Sequence, residues 1–267
     1  MTSTNKKIGP FVALGSRLKG LPEVITIGVK PNFLDYSTLE RKLIKNAPLI
    51  LYPTLNYAQF FHTTGKKIFP SLETYLYADE KIKQSTLFYI NNIPHPRTRI
   101  YYPLHLKDIL KDFDFPFIAK IPRASARGKG IFIIKNQEDL DSYFKLTKIA
   151  YIQEYLPHKK DLRVILVNYR PVLSYWRICA PGNFKSNISQ GGSFDFNDIP
   201  HEAISLAIDF AKRCKFNDVG LDMIKCYGKW YLIEANMKYG RKGLMKKGMD
   251  LKQIIREMLL SGEITGD

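Results

Sequence analysis

The chain has 267 residues, 45% hydrophobic and 25% charged, which is enough for a buried core in two or three lobes and argues against a disordered polymer. Its 41 Lys plus Arg against 25 Asp plus Glu leave a net charge of +16, which attracts polyanions without choosing among nucleotide, nucleic acid, membrane surface and acidic peptide. Cys179, Cys214 and Cys226 lack disulfide-framework or metal-type spacing, and no run of 18 apolar residues occurs, so a cytoplasmic protein without a membrane partner is expected.

In chain order, "EVITIGV" (23–29) and "PLILYP" (48–53) read as short buried strands, and "DYSTLERKLIKNA" between them as a helix. Asp35 is its N-cap candidate, and Leu39, Leu43 and Ile44 form its apolar face. A helix from about Asn56 to Thr63 and a strand over Lys67 to Phe69 complete a small α/β lobe. "ADEKIKQSTLFYINN" predicts a helix opened by Asp79 and ended by Asn91 and Asn92, followed by an extended connector around Pro94 and Pro96. Next come the strand "FPFIAKIP", the loop "ASARGKG" as a hairpin tip, the strand "GIFIIK", the helix "NQEDLDSYFKL" and the strand "IAYIQEYL". "RVILV", the turn "NYRP" and "VLSYWRICA" form an antiparallel hairpin, with a Gly, Ser and Asn-rich loop after it. "HEAISLAIDFAKRCK" is helical by the spacing of Ile204, Ala207, Ile208 and Ala211, and two strands joined at Tyr227-Gly228 follow it. Leu251, Ile254, Ile255, Met258 and Leu259 mark a final amphipathic helix.

Three groups of residues carry chemistry. Asp222 lies on one strand of the last hairpin, and Glu234 and Asn236, two apart on the next, share a face. Hard oxygen donors of mixed charge suit magnesium, and a carboxylate within the apolar run "YLIEAN" is costly unless paired or metal-bound. Lys120 sits on an apolar strand, ahead of a loop whose Ser125, Arg127, Gly128 and Gly130 allow close approach of a phosphate. No G-K-[ST] closes that loop and a strand follows it, so it is not a Walker loop. Gln153, Glu154, Tyr155 and Leu156 offer strand backbone to an adenine edge, and Asp161 offers a carboxylate to ribose hydroxyls. Arg163 and Arg177 on the two hairpin arms, with Lys185, Ser186 and Asn187 beyond, are the residue types that stabilise a transferring phosphoryl group. Taken singly, these residues read as surface ion-pair partners, solvated loop tips or strand ends, with Glu234 and Asn236 after "YLI" the hardest to read that way.

In this order the pieces resemble the ATP-grasp superfamily, and within it the RimK-like ribosomal-protein glutamate ligases and their relatives. The resemblance runs from "GKKIFPSLETYLYADEKIKQSTLFYINNIPHPRT" through "IAKIPRASARGKGIF", "IQEYL", "DLRVILV", "WRICAPGNFKSNISQGG" and "GLDMIK" to "YLIEAN". It implies an α+β fold of three lobes with ATP between two of them: 1–78 as an N-terminal α/β lobe, 79–157 as a central lobe with the glycine loop, and 158–267 as a C-terminal lobe with the metal site. By the family pattern Lys81 and Lys120 contact ATP phosphates, the 125–130 loop closes over them, and residues 153–156 hold adenine. Asp161 takes the ribose, residues 185–187 contact nucleotide, and Asp222, Glu234 and Asn236 bind magnesium, two ions by analogy, with manganese able to substitute.

The activity so implied is ATP-dependent joining of a carboxylate to an amine through an acylphosphate, with Arg177 and Arg163 stabilising its charge. No residue is singled out as general base. After Asn236 the chain departs from the family's small-residue turn, and Lys238, Arg241 and Lys242 become candidates for an acidic substrate, whether small molecule, peptide or protein tail. A kinase acting on a polyanionic small molecule and a non-catalytic basic ATP- or nucleic-acid-binding protein are the alternatives. No RNP aromatic pair or G-x-x-G clamp supports nucleic acid, and a homo-oligomer is left open.

Overall fold

The computed structural model describes residues 10–122, 130–179 and 193–266. The first sheet is parallel, with β1 (Phe11–Ala13), β2 (Val24–Thr26), β3 (Ile50–Leu51) and β4 (Ile68–Phe69) in the order β2-β1-β3-β4. Both faces are covered, which explains why these strands are almost entirely apolar. Val12, Ile50 and Ile68 face α1 (Thr38–Asn46) and α2 (Leu55–Thr63), while Phe11, Ala13, Leu51 and Phe69 face the third sheet and the C-terminal helix. Ser37, not Asp35, caps α1: its hydroxyl accepts from the Glu40 amide at 3.2 Å, and the Glu40 carboxylate accepts from the Ser37 amide at 2.6 Å. Asp35 instead closes the preceding turn through Asn32, so the helix starts two residues later and Leu39 faces solvent. α3 (Leu72–Tyr77), which the sequence pattern did not suggest, leads out of this lobe.

The second sheet is antiparallel. It consists of β5 (Thr98–Tyr101), β6 (Phe117–Lys120), β7 (Ile131–Ile134) and β8 (Ala150–Glu154) in the order β5-β8-β6-β7. α4 (Lys81–Ile90) precedes it, capped at Glu80; Asp79, expected to open the helix, takes φ 70° just outside it. α5 (Ile109–Asp112) and α6 (Gln137–Phe144) close the core over Phe117, Ala119, Ile134 and Ile152. The end of the proline-rich connector is recruited as β5, an edge strand of only four residues, too short and polar to show a pattern of its own.

The third sheet holds β9 (Lys160–Val167), β10 (Arg170–Ile178), β11 (Ser193–Asp195), β12 (Asp218–Cys226) and β13 (Lys229–Asn236) in the antiparallel order β11-β10-β9-β12-β13. Its hairpins turn at Asn168-Tyr169 and Tyr227-Gly228, all four residues at positive φ, as two-residue turns that match strand twist require. On one face, α7 (His201–Arg213) buries Ala203, Ala207, Phe210 and Ala211 against Leu162, Val164, Leu221, Met223 and Leu232.

The opposite face of this sheet is divided. One half carries Ile165, Val167 and Tyr175 and packs on the first sheet and on α9 (Leu251–Leu260), whose Leu251, Ile255, Met258 and Leu259 are buried as the spacing predicts. Each such side chain contributes on the order of 2 kcal/mol. At the end of this half away from Asp161, where Asp218 pairs with Val167, lies a buried polar cluster: Tyr52 and Tyr239 donate to Asp218 at 2.9 and 2.8 Å and Arg17 bonds Asp218 at 3.3 Å. The Arg17 guanidinium lies over both tyrosine rings, tying the first sheet to the third. α8 (Lys242–Lys246) caps this region, where Gly243 abuts the Tyr175 ring. The other half of the face is polar. Among the described residues, no helix is long and apolar enough to cross a membrane.

Candidate active site

Strand alternation and register build the polar half. Arg177 of β10 lies opposite Asp161 of β9, Arg163 of β9 opposite Asp222 of β12, and Asp222 opposite Glu234 of β13, so all five side chains share one face. A bulge decides the last position: Asp222 pairs with Glu234 but Met223 pairs with Leu232, leaving Ile233 as an extra residue. Without it, strict alternation would put Leu232 and Glu234 on the same face. The bulge keeps Leu232 in the core under α7 and turns Glu234 to the polar side.

The charges pair closely. Arg163 donates from Nε to Oδ1 and from Nη2 to Oδ2 of Asp222, both at 2.6 Å, and Arg177 Nη2 reaches Oδ2 at 2.9 Å. Arg177 Nε donates to Asp161 at 2.6 Å, and Arg163 Nη1 donates to the Tyr239 carbonyl at 2.8 Å. Burial alone would raise the Asp222 pKa, but the two guanidiniums outweigh it and hold the carboxyl below its ordinary range. Burial would likewise lower the Arg177 pKa, and the charges of Asp161 and Asp222 reverse that.

Two lysines reach this face from elsewhere in the fold. Lys81, in the first turn of α4, sits 2.9 Å from Glu234 Oε1. Lys120, at the end of β6, is buried with its ammonium 5.6 Å from the centre of the Tyr151 ring. Burial lowers its pKa to about 8, with the charge of Glu234 opposing and that of Lys81 reinforcing the shift. A buried ammonium whose charged form is penalised, near carboxylates, suits a group that meets the negative charge of a phosphate.

Asn236 pairs with Gly220 on the same face as Glu234, two residues along. Among the described residues no cluster of three His, Cys, Asp or Glu side chains gathers to hold a metal; the set is two carboxylates completed by an amide. This all-oxygen donor chemistry fits magnesium. Asp222 is already engaged by two arginines and Glu234 by one lysine on Oε1, so an ion would share these carboxylates with cations that orient them.

Gln153 and Glu154 lie within the second sheet, paired through β5 and β6, and the Gln153 side chain donates to Thr98 at 2.9 Å. Tyr155 and Leu156 follow the strand with backbone outside the ladder, and the Leu156 carbonyl lies 2.7 Å from His158 Nδ1. Gly130 opens β7 at φ 90° and accepts from the Ile121 amide at 2.8 Å. Ser125, Arg127, Gly128, Lys185, Ser186 and Asn187 lie outside the described residues. Lys238, Arg241 and Lys242 are exposed beyond β13, but Tyr239 among them is a buried strut: its carbonyl holds Arg163 and its hydroxyl holds Asp218. Tyr239 and Gln84, which grips the edge of β13, were not legible as site residues, since each acts on a residue distant in the chain or on backbone.

Comparison with known proteins agrees with this architecture. The model of the RimK-like ATP-grasp domain matches residues 78–259. A protein described as a probable alpha-L-glutamate ligase of Parasynechococcus marenigrum is 28% identical over 192 residues, covering 69% of this chain and 41% of its own. The chain therefore spans less than half the length of that relative. Among solved structures, a RimK domain ATP-grasp protein of Sphaerobacter thermophilus superposes with a TM-score of 0.66 at 12% identity, covering 93% of this chain and 98% of its own. A D-alanine–D-alanine ligase of Bacillus anthracis gives 0.62 at 12% identity, covering 88% and 85%. These two likenesses are of fold.

Proposed function

The chain belongs to the RimK-like ATP-grasp family, and from that premise we propose that it is an ATP-dependent carboxylate–amine ligase. The observation that carries the reading is the convergence of Asp222, Glu234, Arg163 and Arg177 on one sheet face with Lys81 and Lys120 brought over it. In the reaction a substrate carboxylate oxygen attacks the γ-phosphorus of ATP and ADP leaves. An amine then attacks the acyl carbon, phosphate leaves, and the amine gives up its proton.

Lys81 and Lys120 would take the ATP phosphates, whose charge would offset the desolvation of the buried Lys120 ammonium. Among the described residues Arg177 uses Nε on Asp161 and Nη2 on Asp222, and its remaining guanidinium N–H groups would meet the developing charge on the acylphosphate. Arg163, bidentate on Asp222 and bonded to Tyr239, orients Asp222. Magnesium, two ions by analogy and replaceable by manganese, would be held by Asp222, Glu234 and Asn236 and would neutralise charge on the transferred phosphoryl group. The 125–130 loop and residues 185–187 complete the nucleotide contacts in this reading, with residues 153–156 at adenine and Asp161 at ribose. The lobes divide at residues 79 and 158, a reading supported by the three separate sheets.

Exposed Lys238, Arg241 and Lys242, beyond the last metal ligand, favour an acidic amino acid or peptide as substrate. The test is magnesium-ATP turnover screened against glutamate, acidic peptides and amines, with mass spectrometry of the product. Phosphate release that needs both acid and amine and yields an amide is expected, as is its loss in Glu234→Gln. Transfer of phosphate to a stable product without amine would overturn the ligase reading in favour of a kinase.

A further inference from the structure

Ala235 lies between Glu234 and Asn236 on β13, the outer edge of the third sheet. An edge strand leaves outward N–H and C=O groups without partners. Here the edge is taken by a side chain. The Ala235 amide donates to Gln84 Oε1 at 3.0 Å, and the Ala235 carbonyl accepts from Gln84 Nε2 at 2.7 Å. The second Nε2 hydrogen goes to the Tyr77 carbonyl at 2.9 Å, so the amide has one orientation that satisfies all three bonds. Gln84 is buried on α4, 151 residues away in the chain.

The same turn follows this edge. The Asp79 amide also donates to the Ala235 carbonyl, at 3.0 Å. Lys81 holds Glu234. Residues 79–84 thus contact β13 at positions 234 and 235. The bulge at Ile233 removes regular pairing immediately before Glu234, where an unclamped edge would be free to twist.

We propose that Gln84 is a positioning residue for the metal site: by pairing both backbone groups of Ala235 it fixes the spacing and direction of Glu234 and Asn236. The proposal rests on the magnesium reading of those two residues. Gln84 acts on the Ala235 backbone, as a one-residue substitute for a sixth strand. Groups that orient metal ligands from behind typically matter by about 10- to 100-fold in metal affinity.

The probe is Mn2+, titrated by electron paramagnetic resonance in the presence of a non-hydrolysable ATP analogue, with analogue affinity measured separately in EDTA. Gln84→Met keeps size and removes all three bonds. It is expected to weaken Mn2+ binding about 10-fold or more while leaving metal-free nucleotide affinity within twofold. Gln84→Glu guards against misfolding of that variant. Ionised, it accepts from Ala235 but faces two carbonyls with no hydrogen to give, and protonated it regains one donor. Its Mn2+ deficit relative to wild type is therefore expected to shrink on acidification from pH 8 to pH 6. Asp79, Lys81, Glu234 and Lys238, the charged groups along this edge, are common to both proteins and cancel in the ratio.

Equal Mn2+ affinity in wild type and Gln84→Met, equal losses of metal and metal-free nucleotide binding, or a Gln84→Glu deficit that acid does not relieve would each overturn the positioning role while leaving the ligase reading standing. Failure of wild type itself to bind Mn2+ would remove the metal site and this inference together.

Discussion

Gly220→Ala is the sharpest test of how the face that carries the candidate site is supported. A Cβ on Gly220 would stand 2.3 Å from the Tyr239 Cβ and 3.1 Å from its Cγ. That neighbour is not a flexible tip. Tyr239 is pinned by its hydroxyl on Asp218 and by its carbonyl under Arg163, so relief of the clash must break one of these or move β12. Overpacking of this kind costs about 1–3 kcal/mol, and the double anchorage puts the cost near the top of that range. Replacing a strand glycine returns about 0.5–1 kcal/mol of chain entropy, for a net loss of about 2 kcal/mol. With about 2–4 °C per kcal/mol in a chain this large, the unfolding midpoint should fall by about 4–8 °C. Urea and thermal unfolding followed by tryptophan fluorescence measure it, in the wild-type and Tyr239→Gly backgrounds. In the second background the clash is gone and the same substitution should be neutral or slightly stabilising. Equal effects in the two backgrounds, or no effect in wild type, would refute the packing account.

Lys120→Met should stabilise the nucleotide-free protein while weakening ATP binding. The folded pKa of Lys120 lies near 8, below its ordinary 10.5, so the fold carries a penalty for the charged form that is full below pH 8 and disappears by about pH 10.5. The gain at pH 7 is up to about 3 kcal/mol, and a pH-independent difference between variant and wild type would contradict it. Asp222→Asn leaves the Arg163 guanidinium without a carboxylate and Arg177 with Asp161 alone, and should cost about 3–5 kcal/mol at neutral pH. Because the folded Asp222 pKa lies below the ordinary carboxylate value, its contribution is present above that value and lost as pH falls through the folded one. Denaturation from pH 7 down to pH 2 should therefore show the two proteins converging in acid.

Much of the local structure was legible. The 3.6-residue spacing of Leu251, Ile255, Met258 and Leu259 specified α9, and Tyr227-Gly228 marked a turn that needs positive φ. Asp222, Glu234 and Asn236 were legible as one set because a carboxylate in an apolar strand demands a partner. The cap of α1 was misplaced because Asp35 and Ser37 are both competent caps; the reciprocal bond between Ser37 and Glu40 selects the second. β5 was missed because its pairing with β8 involves residues some fifty positions on.

The sequence by itself determined which residue types are present, their order, and the face on which neighbours such as Asp161 and Arg163, or Glu234 and Asn236, must lie, because strand and helix periods are local properties of the backbone. Only the tertiary structure decided their partners. Arg163 on Asp222 spans 59 residues and Gln84 on Ala235 spans 151, and both depend on sheet order. The Ile233 bulge reverses alternation where local pattern would continue it, because Leu232 must stay in the core under α7 while Glu234 faces the cations. Tyr239 shows the same division in one residue: the sequence places it among cations, and packing on Gly220 makes it the support of the arginine that holds Asp222.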